Sequence, residues 1–125
     1  MYLGIDIGTS GVKAVLIDDE QKLVGQKTAD LSVSRPQPGW SEQDPAHWIE
    51  ATKQAVAELR SAHPDAFSAV RGIGLSGQMH GATLLDESDN VLRPCILWND
   101  TRAADEAEYL DGLPGVRDAV GSIIF

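Results

Sequence analysis

Ten consecutive residues near the N-terminus, Gly4-Ile5-Asp6-Ile7-Gly8-Thr9-Ser10-Gly11-Val12-Lys13, combine a carboxylate, three glycines, two hydroxyls and a cation. That set suits a metal-bound polyphosphate. Gly8 and Gly11 let the backbone approach a ligand, the amides and hydroxyls of Thr9 and Ser10 can face phosphate oxygens, and Lys13 supplies a countercharge. Asp6 can reach Mg²⁺ or its waters. The glycines fall at 4, 8 and 11, which is neither G-x-G-x-x-G nor the spacing of a Walker A loop. The turn also leads into a second strand rather than a helix. A plain Gly-Thr-Ser-Gly hairpin turn is the simpler alternative.

A second chemical stretch is Ile73-Gly74-Leu75-Ser76-Gly77-Gln78-Met79-His80-Gly81. A strand ends in small residues and then presents Gln78, Met79 and His80 on a turn. Recognition of a polyhydroxylated ligand needs such polar groups, because every buried hydroxyl must find a partner. A histidine beside a strand can equally be a satisfied structural residue. Further on, Trp98-Asn99-Asp100-Thr101-Arg102 offers an aromatic ring and an acid–base pair, which read either as binding groups or as core and a helix-start ion pair.

These residues require elements to position them. Residues 2–6, 12–17 and 23–33 read as three successive strands, an antiparallel meander with a polar turn at 18–21. Residues 36–45 hold three prolines, too many for helix or central strand, and form a crossover loop. Asp44 followed by Pro45 predicts a helix start. Trp48, Thr52, Ala55 and Leu59, flanked by Ile49 and Val56, recur at helical spacing. Strands are expected at 70–75, 82–85 and 91–98, with a turn at 86–90 and a second helix at 101–110. The order implies an α/β fold with a mixed sheet.

The bulk properties narrow the function classes. A chain of 125 residues, 42% hydrophobic and 23% charged, fits one globular domain. Its net charge of −9 disfavours nucleic acid and anionic lipid as partners, so any nucleotide is held by local geometry. The sequence shows no secretion signal, and no run approaches the ~20 apolar residues of a membrane span. With a single cysteine, Cys95, no internal disulfide is available, and a cytoplasmic setting is the reading.

The first stretch resembles the opening phosphate motif of the actin, heat-shock-chaperone and sugar-kinase superfamily, D-x-G-T-[ST] followed by a cation. Gly77-Gln78-Met79-His80-Gly81 resembles the segment that ketose-phosphorylating members of the FGGY carbohydrate-kinase family use to contact the sugar. Members acting on glycerol are similar but carry an arginine-glutamate pair where Met79 and His80 stand. Ser34-Arg35-Pro36, Pro38 to Pro45 with Trp48, and the Trp98-Asn99-Asp100-Thr101-Arg102 segment resemble the same family, over residues 1–110.

The resemblance implies an incomplete α/β domain of the actin-like, ribonuclease H-like ATPase type, with a βββαβ mixed sheet. Residues 1–125 would be the N-terminal part of the first domain, without the second, ATP-binding one. It implies ATP and Mg²⁺ as cofactors and D-xylulose as the sugar. Asp6 would support catalysis and the metal; Gly8, Thr9, Ser10, Gly11 and Lys13 would hold the nucleotide phosphates. Gln78, Met79, His80, Asp100 and Arg102 would bind the sugar. The catalytic base would be an aspartate beyond the matched residues, so the chain alone is expected to be inactive. The apolar stretch 122–125 reads as a cut rather than a finished end. A homodimer is compatible with the residues. Rival readings are a kinase for ribulose, gluconate or fuculose, and a non-catalytic actin-like or chaperone-type ATPase fragment.

Overall fold

The computed structural model describes residues 1–124. Strands β1 (Tyr2–Ile7), β2 (Gly11–Ile17) and β3 (Leu23–Asp30) form the predicted antiparallel meander. Alternation along β2 explains its place in the middle: Val12, Ala14 and Leu16 are buried, while Lys13 and Val15 point to the opposite face. Loop residues 34–41 lead into β4 (Glu42–Gln43) and then α1 (Pro45–Ala62). Helix α1 starts as the sequence predicts, with the Asp44 carboxylate accepting from the amide of Ala46 at 2.9 Å and proline in the first turn. It stops before Pro64.

Helix α1 lies against β2 and β3, burying Ala51, Ala55 and Leu59 at i, i+4, i+8. The small alanines bring the helix close to the sheet, and Leu59 fills the space among Leu3, Ile5, Val12, Ala14, Leu16 and Ala29. The stripe is rotated from the expected one: Ala51 replaces Thr52 in the core, and Ile49 is 55% exposed. A short helix α2 (Pro64–Ser68), which the sequence pattern did not signal, carries the chain to β5 (Ile73–Gly77). Strand β5 pairs parallel with β1, giving the order β3-β2-β1-β5. Helix α1 is thus the crossover that a parallel strand requires.

Beyond β5 the chain departs from expectation. Residues 82–85 and 91–98 make only the single bridges Leu85 to Val91 and Ala82 to Ile96, plus the two-residue strand β6 (Cys95–Ile96), which pairs with β4. Pro94 removes one ladder donor, and residues 81–94 are exposed throughout, so no buried face enforces strand alternation. The expected helix begins later, as α3 (Ala104–Asp111), because 99–103 are held by side-chain bonds described below. Helix α4 (Val116–Val120) follows. At the C-terminal end Ile123 is 56% exposed, and Phe125 lies outside the described residues. The outer strand β5 exposes Ile73 and Leu75.

Leu59 is fully buried at the helix–sheet contact. Leu59→Ala is expected to lower stability by about 2–5 kcal/mol, seen as a lower urea midpoint at unchanged slope.

Candidate active site

The β1–β2 hairpin turns at Gly8 to Gly11, where the Gly8 amide donates to the Gly11 carbonyl at 3.0 Å. Gly11 is required by packing: a Cβ there would meet the carbonyl oxygen of Ala29 at 2.9 Å. Register places Asp6 opposite Lys13, on the sheet face away from α1. Neither enters an ion pair among the described residues. The Ser76 hydroxyl donates to Asp6 Oδ1 at 2.6 Å. Asp6, Lys13 and Ser76 border a hollow of about 310 Å³ with Gly4 and Gly74, whose missing side chains keep it open. The single exposed carboxylate of Asp6 fits Mg²⁺ only in company with substrate phosphates and water, the way this ion commonly binds, because the Lys13 ammonium has no lone pair to offer.

Thr9 is occupied differently from its neighbours. Its hydroxyl donates to Gln78 Oε1 at 3.0 Å and accepts from Trp98 Nε1 at 3.2 Å. The hydroxyl proton therefore points at protein, whereas Ser10 and Lys13 are exposed. The two stretches singled out in the sequence, 69 residues apart, meet at this Thr9–Gln78 bond.

On the other side a cavity of about 660 Å³ is lined by His80, Trp98, Asp100, Arg102 and the Ala104 and Ala107 face of α3. His80 sits at φ 65°, in the left-handed region that a non-glycine residue enters at a cost. Gly81 follows because a Cβ there would meet Cys95 Sγ at 2.9 Å. The strained turn thereby holds His80 at the cavity wall. Met79 is 60% exposed and does not line this cavity.

Asp100 is saturated. Its Oδ1 accepts from the Arg102 amide and Nε, each at 2.9 Å, and its Oδ2 from Arg102 Nη2 at 2.7 Å and the Ser41 amide at 2.6 Å. Those bonds use the acceptor capacity of a carboxylate. Arg102 also donates to Glu42 Oε2 at 3.0 Å and stacks on the Trp40 ring with its guanidinium carbon 3.7 Å from the centroid. The Arg102 side chain, assisted by the two amides, holds the Asp100 carboxyl well below the usual carboxylate range, although burial acts the other way. The same bond to Asp100 raises Arg102. This network ties the proline-rich loop to the segment before α3, together with the Thr101 amide, which donates to the Gly39 carbonyl at 2.9 Å.

Of the predicted site residues, the structure brings Gly8, Thr9, Ser10, Gly11 and Lys13 into one hairpin with Asp6, and His80, Asp100 and Arg102 to one cavity. Gln78 belongs to the seam between them. Trp40, Glu42 and Gln43, which the sequence reading places in the crossover loop and in the family resemblance without a site role, contact the site residues; polar side chains between prolines are the available signal. Among the described residues no cluster of three metal-binding side chains occurs, and no helix is long and apolar enough to cross a membrane.

A four-stranded mixed sheet with a crossover helix, opening on a hairpin that carries Asp6, Thr9 and Lys13, is the arrangement of the actin-like, ribonuclease H-like fold. Residues 1–123 match the N-terminal domain of the FGGY family of carbohydrate kinases, and the chain belongs to that family. It is 52% identical to the xylulose kinase of Klebsiella pneumoniae over 99% of this chain and 26% of that protein. The crystal structure of a xyloylose kinase from Brucella ovis superposes with a TM-score of 0.95 at 64% identity, over 99% of this chain and 26% of that one. Xylulose kinase from Rhodospirillum rubrum gives 0.82 at 34% identity, over 87% and 22%. The chain spans about a quarter of the length of the curated relatives it matches.

Because the folded-state pKa of Asp100 is depressed, its stabilisation is present above the unfolded value near 3.9 and is lost as pH falls toward the folded one. Asp100→Asn should cost roughly 1.5–3 kcal/mol at neutral pH. The gap to wild type should narrow below about pH 4, measured by denaturant unfolding across pH.

Proposed function

We propose that this chain is the N-terminal part of the first domain of a kinase that transfers the γ-phosphoryl of MgATP to a hydroxyl of D-xylulose. The hydrogen bond between Thr9 and Gln78 carries this reading, because it joins a turn suited to phosphate with a turn suited to sugar. The similarity to xylulose kinases from several bacteria supports the choice of sugar.

In this reading the Thr9 and Ser10 amides, the Ser10 hydroxyl and Lys13 bind and orient the polyphosphate, the Gly8 amide being spent on the Gly11 carbonyl. Asp6 would hold Mg²⁺ directly or through water, and the ion would supply neutralisation of charge on the phosphate oxygens. His80 takes sugar hydroxyls, while Asp100 and Arg102 shape the cavity wall and Met79, outside that cavity, offers an apolar surface beside it. A ketose hydroxyl oxygen attacks the γ-phosphorus, the bond to the β–γ bridging oxygen breaks, and ADP leaves with D-xylulose 5-phosphate formed. The hydroxyl proton goes to an aspartate outside this chain, in a protein with a second, ATP-binding domain. Such chemistry asks for positioning and charge neutralisation more than covalent participation. The lone cysteine and the absence of a membrane-spanning helix among the described residues support a cytoplasmic setting.

The test is ADP release by the full-length protein with MgATP and candidate sugars. D-xylulose should give the highest kcat/KM; ADP release indifferent to sugar, or faster with gluconate or glycerol, would overturn the reading. In the same assay His80→Ala should raise the KM for D-xylulose roughly ten- to hundred-fold with little change for ATP. Asp6→Ala should instead lower kcat, on the order of a hundredfold, more than it weakens sugar binding.

A further inference from the structure

Gln43 is 2% exposed, and its side-chain amide makes four hydrogen bonds beside the site. Nε2 donates to the carbonyls of Thr9 at 2.8 Å and Ser32 at 3.1 Å. Oε1 accepts from Trp48 Nε1 at 2.9 Å and from Gln78 Nε2 at 3.1 Å. Two donors and two lone pairs are all a carboxamide has, so the group is fully satisfied. Its orientation follows from its partners: carbonyls can only accept and an indole N–H can only donate.

With the bond from the Thr9 hydroxyl to Gln78 Oε1, these contacts close a triangle. Gln43 donates to Thr9, Thr9 to Gln78, and Gln78 back to Gln43. A closed ring of hydrogen bonds fixes the relative position of its three backbones more tightly than any single bond, since each edge limits the other two. One corner is the hairpin turn with Ser10 beside it. Another is the turn that leads to His80. The third is anchored in β4, whose pairing with Cys95 of β6 ties it to the far wall, while Trp48 ties it to α1.

We propose that Gln43 is a positioning residue for phosphoryl transfer, setting the distance between the phosphate turn and the sugar turn without touching either substrate. The inference rests on the kinase reading above. In-line transfer requires the attacking hydroxyl to be held against the γ-phosphoryl, and a misplacement of ~1 Å can cost on the order of a hundredfold in rate. Gln43 adds no contact to sugar or nucleotide, so its loss should be felt in turnover rather than in binding.

Full-length Gln43→Glu keeps the shape and removes the donors to Thr9 and Ser32. Gln43→Met keeps the volume without introducing a charge. At saturating D-xylulose and MgATP each is expected to lower kcat, per folded molecule, by roughly ten- to hundred-fold, with both KM values within about threefold of wild type. The fraction of ATP hydrolysed to phosphate without sugar phosphorylation should rise, because water competes better against a misplaced hydroxyl. A kcat within twofold of wild type in a folded variant would overturn the inference, as would a rise in KM that accounts for the whole loss. Failure of both variants to fold would make Gln43 a folding determinant and overturn it too. A wild type inert toward D-xylulose overturns the kinase reading and this inference together; an active wild type with unaltered variants overturns this inference alone.

Discussion

The short glycine turn at the end of the first hairpin cannot hold itself in place, and the structure is arranged around this constraint. Inside the Gly8–Gly11 turn, one backbone bond closes the loop. The rest of the restraint comes from behind, where the Thr9 carbonyl and hydroxyl and the Ser10 carbonyl are engaged by Gln43, Gln78, Trp98 and the Leu31 amide. Each such bond is worth only ~0.5–1.5 kcal/mol net, but a buried partner left unsatisfied costs more. Low dielectric around a group as buried as Gln43 strengthens both the bonds and the penalty. The network therefore specifies one arrangement more strongly than it stabilises the fold.

The proline-rich loop faces the complementary difficulty. Pro36 and Pro38 lack amide donors, so residues 34–41 are held by a few scattered backbone bonds, the Ser34–Glu42 bridge and the amides of Leu97 and Thr101 on the carbonyls of Ser41 and Gly39, rather than by a continuous ladder. Charge takes over that task. Asp100, with a side chain 2% exposed, is bonded by Arg102 and Ser41; Arg102 and Glu42, each 14% exposed, form the second ion pair. Partial burial limits solvent screening, and the planar guanidinium can bond two carboxylates while stacking on Trp40. A lysine at 102 would keep the charge and lose the stacked, forked geometry.

How much of this the sequence disclosed depended on the range of the determining interactions. The hairpin was legible because Asp6, the Gly-Thr-Ser-Gly turn and Lys13 lie within eight residues and pair in register. The start of α1 was legible because Asp44 and Pro45 are a local signal. Of the strands expected over 82–98 only Cys95–Ile96 forms: apolar residues at 82–94 resemble strands, but without a covering layer the alternation has nothing to enforce it. Asp100 and Arg102 formed the predicted close pair, yet their further partners Ser41 and Glu42 are 59 and 60 residues away. Gln43 was invisible for the same reason. Its bonds to Thr9 and Gln78 span 34 and 35 residues, and a lone glutamine carries no periodicity.

The cavity beside His80 shows how these restraints bear on selectivity under the kinase reading. A wall made of Asp100 and Arg102 looks, by residue type, like a pair of hydroxyl ligands. With the Asp100 acceptors turned onto Arg102 and Ser41, a sugar hydroxyl finds no free carboxylate there. Polar discrimination from this chain then falls on the His80 turn, which the structure holds at positive φ between β5 and the close passage of Gly81 over Cys95. Such strain, of order 1–3 kcal/mol, persists where surrounding contacts over-determine the backbone. The contacts here are the Gln78 amide donating to the Ile7 carbonyl at 2.9 Å on one side and the Gly81–Cys95 packing on the other. The strand that aligns with β1 thus fixes the same turn to which the kinase reading assigns the sugar, and the Gly8–Gly11 hairpin and the His80 turn share β1 as their common reference.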